Sequence, residues 1–260
     1  MRCREFTEKL EEVWPLSFAE SWDNPGLLTG RADKEIKTVM LALDATDEVV
    51  EEAVAKGADL LLTHHPLIFS ARKQINDSDF IGRRLVRLLG NDICCYAMHT
   101  NFDVLTMADV AAEKIGLSGC RVLDVTWQEG EREAGIGRVG KLPEPAGLDE
   151  LGVRLKELFG LEQVAIFGEQ GREISLVAVC PGSGKSVMEK AAQAGADVLI
   201  TGDIGHHEGL DAMAMGIGVI DAGHFGLEQI FLPYMEEYLR GRWDGLTILR
   251  AQEKNPFHIV

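Results

Sequence analysis

Short aliphatic runs recur along the chain, each closed by a turn of glycine or polar residues, and the stretches between them place apolar residues at helical spacing. Residues 36–63 read as a strand at 39–43, a turn, a helix and a second strand at 60–62, ending Gly-Ala-Asp, three aliphatics and Thr63. Residues 174–201 repeat this order without a gap at an offset of 138, with strands at 176–180 and 198–200 and the same ending at Thr201. Each copy is a strand–helix–strand unit, and a right-handed crossover places both of its strands in one parallel sheet. Gly57 and Gly195 stand where a helix meets its terminal glycine. A second correspondence follows at an offset of 125, where an apolar strand at 93–98 and another at 218–222 each lead into His-x-x-x-carboxylate. Two matches in the same order indicate internal duplication.

The predicted fold is therefore α/β: two similar lobes, duplicated, with mixed and largely parallel sheets layered α/β/α. Charged residues and glycine gather around Gly130, which puts the expected boundary near 124, with a first lobe at 1–124 and a second at 125–244. The tail at 245–260 contains a predicted strand at 246–249 that either lobe could take, the first lobe being the one named here. A run at 225–239 has apolar residues at helical spacing and predicts a core-facing helix kinked at Pro233.

Composition narrows the function classes. With 260 residues, 46% of them hydrophobic and 26% charged, the chain has the balance of a folded globular protein with enough length for a large core. Its 42 acidic residues outnumber 26 basic ones, and the net charge of -16 argues against nucleic acid as the main partner. A local cluster of Arg83, Arg84 and Arg87 is the one counterweight. No apolar run is long enough to span a bilayer, and the first 14 residues carry charges throughout, so neither a membrane helix nor a signal peptide is expected. The five cysteines are odd in number and lack CxxC spacing, which fits a reducing compartment, and the expected location is cytoplasmic. Adjacent Cys94 and Cys95 read as core packing.

The candidate chemistry sits where strands end, the place at which open α/β sheets put their ligand sites. His64 and His65 follow the strand at 60–62 and precede Pro66. His99 and Asp103, and again His224 and Glu228, are four residues apart, a spacing that shares one helical face. A catalytic zinc takes about three protein ligands, so five or six such donors exceed one ion and favour a two-metal centre. Imidazole and carboxylate without thiolate suit Zn, Fe, Mn, Co or Ni alike. Three other segments read as structural. Residues 181–186 (PGSGKS) mimic a phosphate loop, but Val179 stands where the leading glycine belongs and a tight turn is expected. In the second copy Gly202 replaces His64 and Asp203 replaces His65, so an equivalent metal site is not expected there. His206, His207 and Glu208 then read as groups at a helix start, with His207 also a candidate to touch substrate. In the turn at 21–27, Trp22 is expected to pack while Asp23 and Asn24 hydrogen-bond locally.

These motifs, SWDNPGLLTG at 21–30, THHP at 63–66, HTNFD at 99–103, GIGRVGKLPEP at 135–145, ITGD at 200–203 and GHFGLE at 223–228, span nearly the whole chain. They resemble the dinuclear-metal family of type 2 homologues of GTP cyclohydrolase 1, also called Nif-three-like or YbgI-like. The resemblance implies that His64, His65, Asp103, His224 and Glu228 ligate two divalent metal ions, with His99 beside them, and that the chain forms a toroidal homohexamer, a trimer of dimers. The chain resembles the short form of the family, and Phe102 stands where a leucine is usual. The function expected from residues and resemblance together is a dinuclear metal-dependent hydrolase of a small-molecule substrate. A purine nucleotide opened at its imidazole ring is the named case, with His99 or His207 transferring the proton. The alternative is a non-catalytic metal-binding scaffold that presents its surface to protein partners.

Overall fold

A buried strand that is apolar on both faces must be covered by helices on both sides, and this chain meets that requirement twice. The computed structural model describes residues 1–256 and 258. In chain order its first elements are helix α1 (Cys3–Glu11), strands β1 (Gly26–Thr29) and β2 (Thr38–Ala42), helix α2 (Asp47–Ala55), strand β3 (Leu60–Thr63), helix α3 (Phe80–Gly90), strand β4 (Cys94–Ala97) and the single helical turn α4 (Thr100–Phe102). Next come α5 (Ala108–Ile115), β5 (Ser118–Glu129), β6 (Arg132–Gly147), α6 (Leu148–Phe159), β7 (Ala165–Phe167) and β8 (Glu173–Ser183). The remainder is α7 (Met188–Gln193), β9 (Val198–Gly202), α8 (His206–Ala214), β10 (Gly218–Asp221), α9 (His224–Glu228), α10 (Phe231–Arg240) and β11 (Thr247–Arg250).

The chain divides into two compact units, one of residues 1–102 and 231–260 and one of residues 103–230. In the first, a five-stranded sheet has the order β1-β4-β3-β2-β11, antiparallel only between β1 and β4. Every residue of β3 and β4 is buried. Met40, Leu61 and Cys95 pack with Val49, Val50 and Ala53 of α2 and with Leu85 and Leu88 of α3. Trp14, Phe102, Tyr234 and Tyr238 form an aromatic cluster in the same unit. Thr46 and Asp79 start α2 and α3 by accepting the amide hydrogens of Val49 and Gly82, as N-cap side chains do.

The second unit carries a six-stranded sheet in the order β5-β6-β8-β9-β10-β7. Its β8–β9–β10 stretch is parallel, whereas β5, β6 and β7 pair antiparallel. The duplicated elements therefore correspond as β2, β3, β4 to β8, β9, β10, and both predicted crossovers join parallel neighbours. The stretch around Gly130, just beyond the expected boundary near 124, is the tip of the β5–β6 hairpin. β11 adds in parallel to β2, so the tail strand belongs to the first sheet. The expected kink at Pro233 is not found: the helical run breaks after Glu228 and restarts at Phe231. Pro233 then lies in the first turn of α10, where no amide hydrogen is needed. Among the described residues no helix is long and apolar enough to cross a membrane.

Candidate functional site

Parallel strands β2, β3 and β4 end side by side, and their C-terminal turns deliver the first donor set. After β3 the ladder runs on for two residues, with His64 and His65 donating their amide hydrogens to Ala42 and Leu43. His64 is fully buried, and its Nδ1 lies 2.8 Å from the carbonyl oxygen of Met98, just past β4. A carbonyl only accepts, so Nδ1 carries the hydrogen, and in the neutral ring the lone pair sits on Nε2. His65 Nδ1 meets Asp44 Oδ1 at 3.0 Å, and His99 Nδ1 meets Asp23 Oδ1 at 2.7 Å. Each of the three histidines offers a ring nitrogen, and those atoms lie within 4.8 Å of one another.

Asp23 deserves separate description because its side chain is fully buried. Burial alone would raise its carboxyl, yet the hydrogen bonds from His99 and from the Thr100 hydroxyl and amide outweigh burial and hold it at about 2. It is thus a fixed anion behind His99.

The second unit supplies carboxylates and one more histidine. A π-helical turn, Asp103–Met107, opens the run into α5 and carries Asp103 at its start; such turns concentrate at functional sites. Arg138 braces this turn from β6: it is 6% exposed, forks onto Asp109 at 2.6 and 2.7 Å, and also donates to the carbonyls of Gly135, Gly137 and Val104. At the end of β10, Asp221 accepts the amide hydrogens of Ile204 and Gly223 and so shapes the turn into α9. There His224 Nδ1 lies 2.7 Å from Asp203 Oδ2, while its Nε2 lies 3.1 Å from Glu228 Oε2. Asp103 and Glu228 present carboxylate oxygens within 4.8 Å of each other. A buried thiol feels both charges: burial first, then Asp103 and Glu228, push Cys180 up to about 12. It stays neutral, and the donor atoms are nitrogen and oxygen.

Two glycines show why the duplicated copies differ. A Cβ on Gly202, the counterpart of His64, would fall 2.3 Å from the backbone nitrogen of His224. No side chain fits, and the position that gives a ligand candidate in the first copy is closed in the second. Gly182, at φ +78°, would place a Cβ 2.6 Å from Glu228 Oε1. Gly182 thus lies against the Glu228 carboxylate, and the Lys185 ammonium pairs with Glu208. Arg83 and Arg84 are likewise paired, with Asp47, and Arg87 with Glu51, so the basic cluster is neutralised by its neighbouring helix.

Of the residues singled out from sequence, His64, His65 and His99 form one donor group, while Glu228 lies within reach of Asp103 and, separately, of His224. His206 and His207 begin α8 with their rings 5.3 Å apart, and no donor group found among the described residues includes them. The sequence pattern does not single out Asp44, and it marks Asp23 only as a local turn residue. Asp44 had one readable signal, a carboxylate directly after an apolar strand; the 76-residue separation of Asp23 from His99 leaves none.

A sequence model of the Duf34/NIF3 family (NGG1p interacting factor 3) matches residues 1–256. The protein called GTP cyclohydrolase 1 type 2 homolog in Clostridium perfringens is 33% identical over 264 residues, covering 100% of both chains. Among solved structures, a Bacillus cereus protein related to NIF3 superposes with a TM-score of 0.91 at 24% identity, over 100% of this chain and 99% of that one, a likeness of fold. Reduced HcgD from Methanocaldococcus jannaschii superposes at 0.84 with 30% identity, over 97% and 98%.

Proposed function

The chain belongs to the Duf34/NIF3 family, and from that premise we propose that His64, His65, Asp103, His224 and Glu228 together hold two divalent cations in a metal-dependent hydrolase. The observation that carries this reading is the state of the imidazoles. His64, His65 and His224 each commit Nδ1 to an oxygen acceptor, which aims Nε2 and its lone pair away from the anchor. That is how histidines are prepared for a cation, and the carboxylates Asp103 and Glu228 supply the matching hard oxygens.

A pair of divalent ions, when bound, polarises a substrate oxygen and brings water's pKa towards neutrality. The remaining work falls to the chain itself. His99 Nε2 is the proposed proton acceptor, because Asp23 fixes the tautomer with hydrogen on Nδ1 and its negative charge stabilises the imidazolium that forms. His207 is exposed at the first turn of α8 and lacks such an anchor among the described residues, which leaves it a contact to substrate in this reading. The relatives' name makes the guanine ring of GTP the substrate to try first, opened at its imidazole carbon. The proposed assembly is a homohexamer built as a trimer of dimers.

The test is metal analysis of purified protein, paired with turnover of GTP followed by the absorbance change of ring opening, with His64→Ala as control. About two ions per chain and turnover that both vanish in the variant are expected. Metal without turnover on any nucleotide would replace the hydrolase by a metal-binding scaffold, and no metal uptake would overturn both. Light scattering of the same sample should read six times the chain mass.

A further inference from the structure

Beside the first donor set stand two large aromatic side chains that the core does not use. Trp22 and Phe69 are 57% and 54% exposed, and their rings touch at a centroid distance of 5.9 Å. Trp22 also meets His99 edge-on at 6.0 Å, and His99 lies 5.3 and 5.4 Å from His64 and His65. The pair comes from two loops, and both are fastened. Next to Trp22, Asp23 is buried against His99 and Thr100, and the Glu20 amide donates to the Thr100 hydroxyl. Asn24 Nδ2 then donates to the carbonyl of Ile68 at 2.6 Å, binding the loop of Trp22 to that of Phe69.

We infer that Trp22, backed by Phe69, is a stacking platform for a planar nitrogen-heteroaromatic ring, and that it seats the ring portion of the substrate beside His99. This deepens the hydrolase reading and rests on it for the word substrate. Three features favour a flat ring over an aliphatic chain or a protein. The exposed side chain is an indole, more than half open to solvent, whose π-cloud rewards parallel or offset stacking. Hydrogen bonds on both sides of Trp22 fasten its loop before any ligand arrives, so the backbone there loses little ordering entropy on binding. The indole adjoins a cluster of imidazoles whose ring nitrogens can meet heteroatoms at the edge of a stacked ring. Two side chains also fall well short of the roughly 600 Å² or more that each partner gives to a stable protein interface.

The test is equilibrium binding by tryptophan fluorescence quenching and by calorimetry, on protein stripped of metal with a chelator, using guanosine, GTP and ribose 5-phosphate. The ring alone should suffice: guanosine and GTP quench and bind, and ribose 5-phosphate does not. Trp22→Ala should weaken guanosine by between about fivefold and a hundredfold, the range for loss of one base–aromatic stack. Phe69→Ala should weaken it less, and Trp22→Phe should restore most of the affinity while losing the quenched emission. All three variants should keep zinc uptake and the native mass. Equal guanosine affinity in Trp22→Ala and the parent overturns the inference, as does binding of ribose 5-phosphate that matches GTP. A changed mass in Trp22→Ala overturns it too, in favour of a subunit contact. Failure of zinc uptake in the parent with guanosine still bound would sink the metal reading and leave the platform standing.

Discussion

Asp203 stands in the second copy where His65 stands in the first, and its left-handed backbone, φ +60°, turns its carboxylate onto His224. Duplication has converted a donor position into one that orients a donor. Removing such an anchor typically costs a metal site ten- to a hundredfold in affinity, so Asp203→Ala should weaken zinc binding by about that factor in a chelator competition. Asp203→Asn should recover part of it. Gly202→Ala is a different experiment: its Cβ would meet the His224 backbone at 2.3 Å. Backbone must then move, and denaturant melts should show a loss of about 3 kcal/mol. That His64 and His65 concern chemistry was legible from their place after a strand. That Gly202 is closed by His224 was not, because 22 residues and a tertiary contact separate them.

Elements place these residues through contacts between helices and strands. Arg138 joins β6 to the turn carrying Asp103 through a buried fork on Asp109. Arg138→Met should destabilise by about 2 kcal/mol in chemical denaturation, since three backbone carbonyls lose a donor while half-exposed Asp109 regains water. Between α2 and α3, hydrogen bonds from Arg83 and Arg84 hold the Asp47 carboxyl below its ordinary 3.8. A depressed carboxylate stabilises the fold above its unfolded value, and that contribution disappears as pH falls through the lower folded value. Asp47→Asn should therefore flatten the stability curve only below about pH 4, and slightly, because the pair is well solvated. The motif at 135–145 was visible as a pattern, whereas the reach of Arg138 was not.

Across the whole molecule, ligand linkage and the tail are the measurable consequences. An ion held by the folded chain alone adds about 2.7 kcal/mol at a hundredfold excess over its dissociation constant, so zinc should raise the melting temperature of the parent and not of His64→Ala. From the far end of the chain, Glu253 accepts the amide hydrogens of Leu43 and Asp44, the turn whose Asp44 anchors His65. Glu253→Ala should lower zinc affinity, with Glu253→Gln closer to the parent because one oxygen remains to accept. By itself the sequence determined the strands of the repeated stretches and the tail, their crossovers, the internal correspondence and the residues at strand ends, because period, turn chemistry and strand-end position are written locally. Only the tertiary structure decided which oxygen orients each imidazole, why no side chain fits at Gly202, and that a residue 209 positions away secures Asp44. Those are contacts between segments distant in the chain, and distance in sequence erases any local pattern that could announce them.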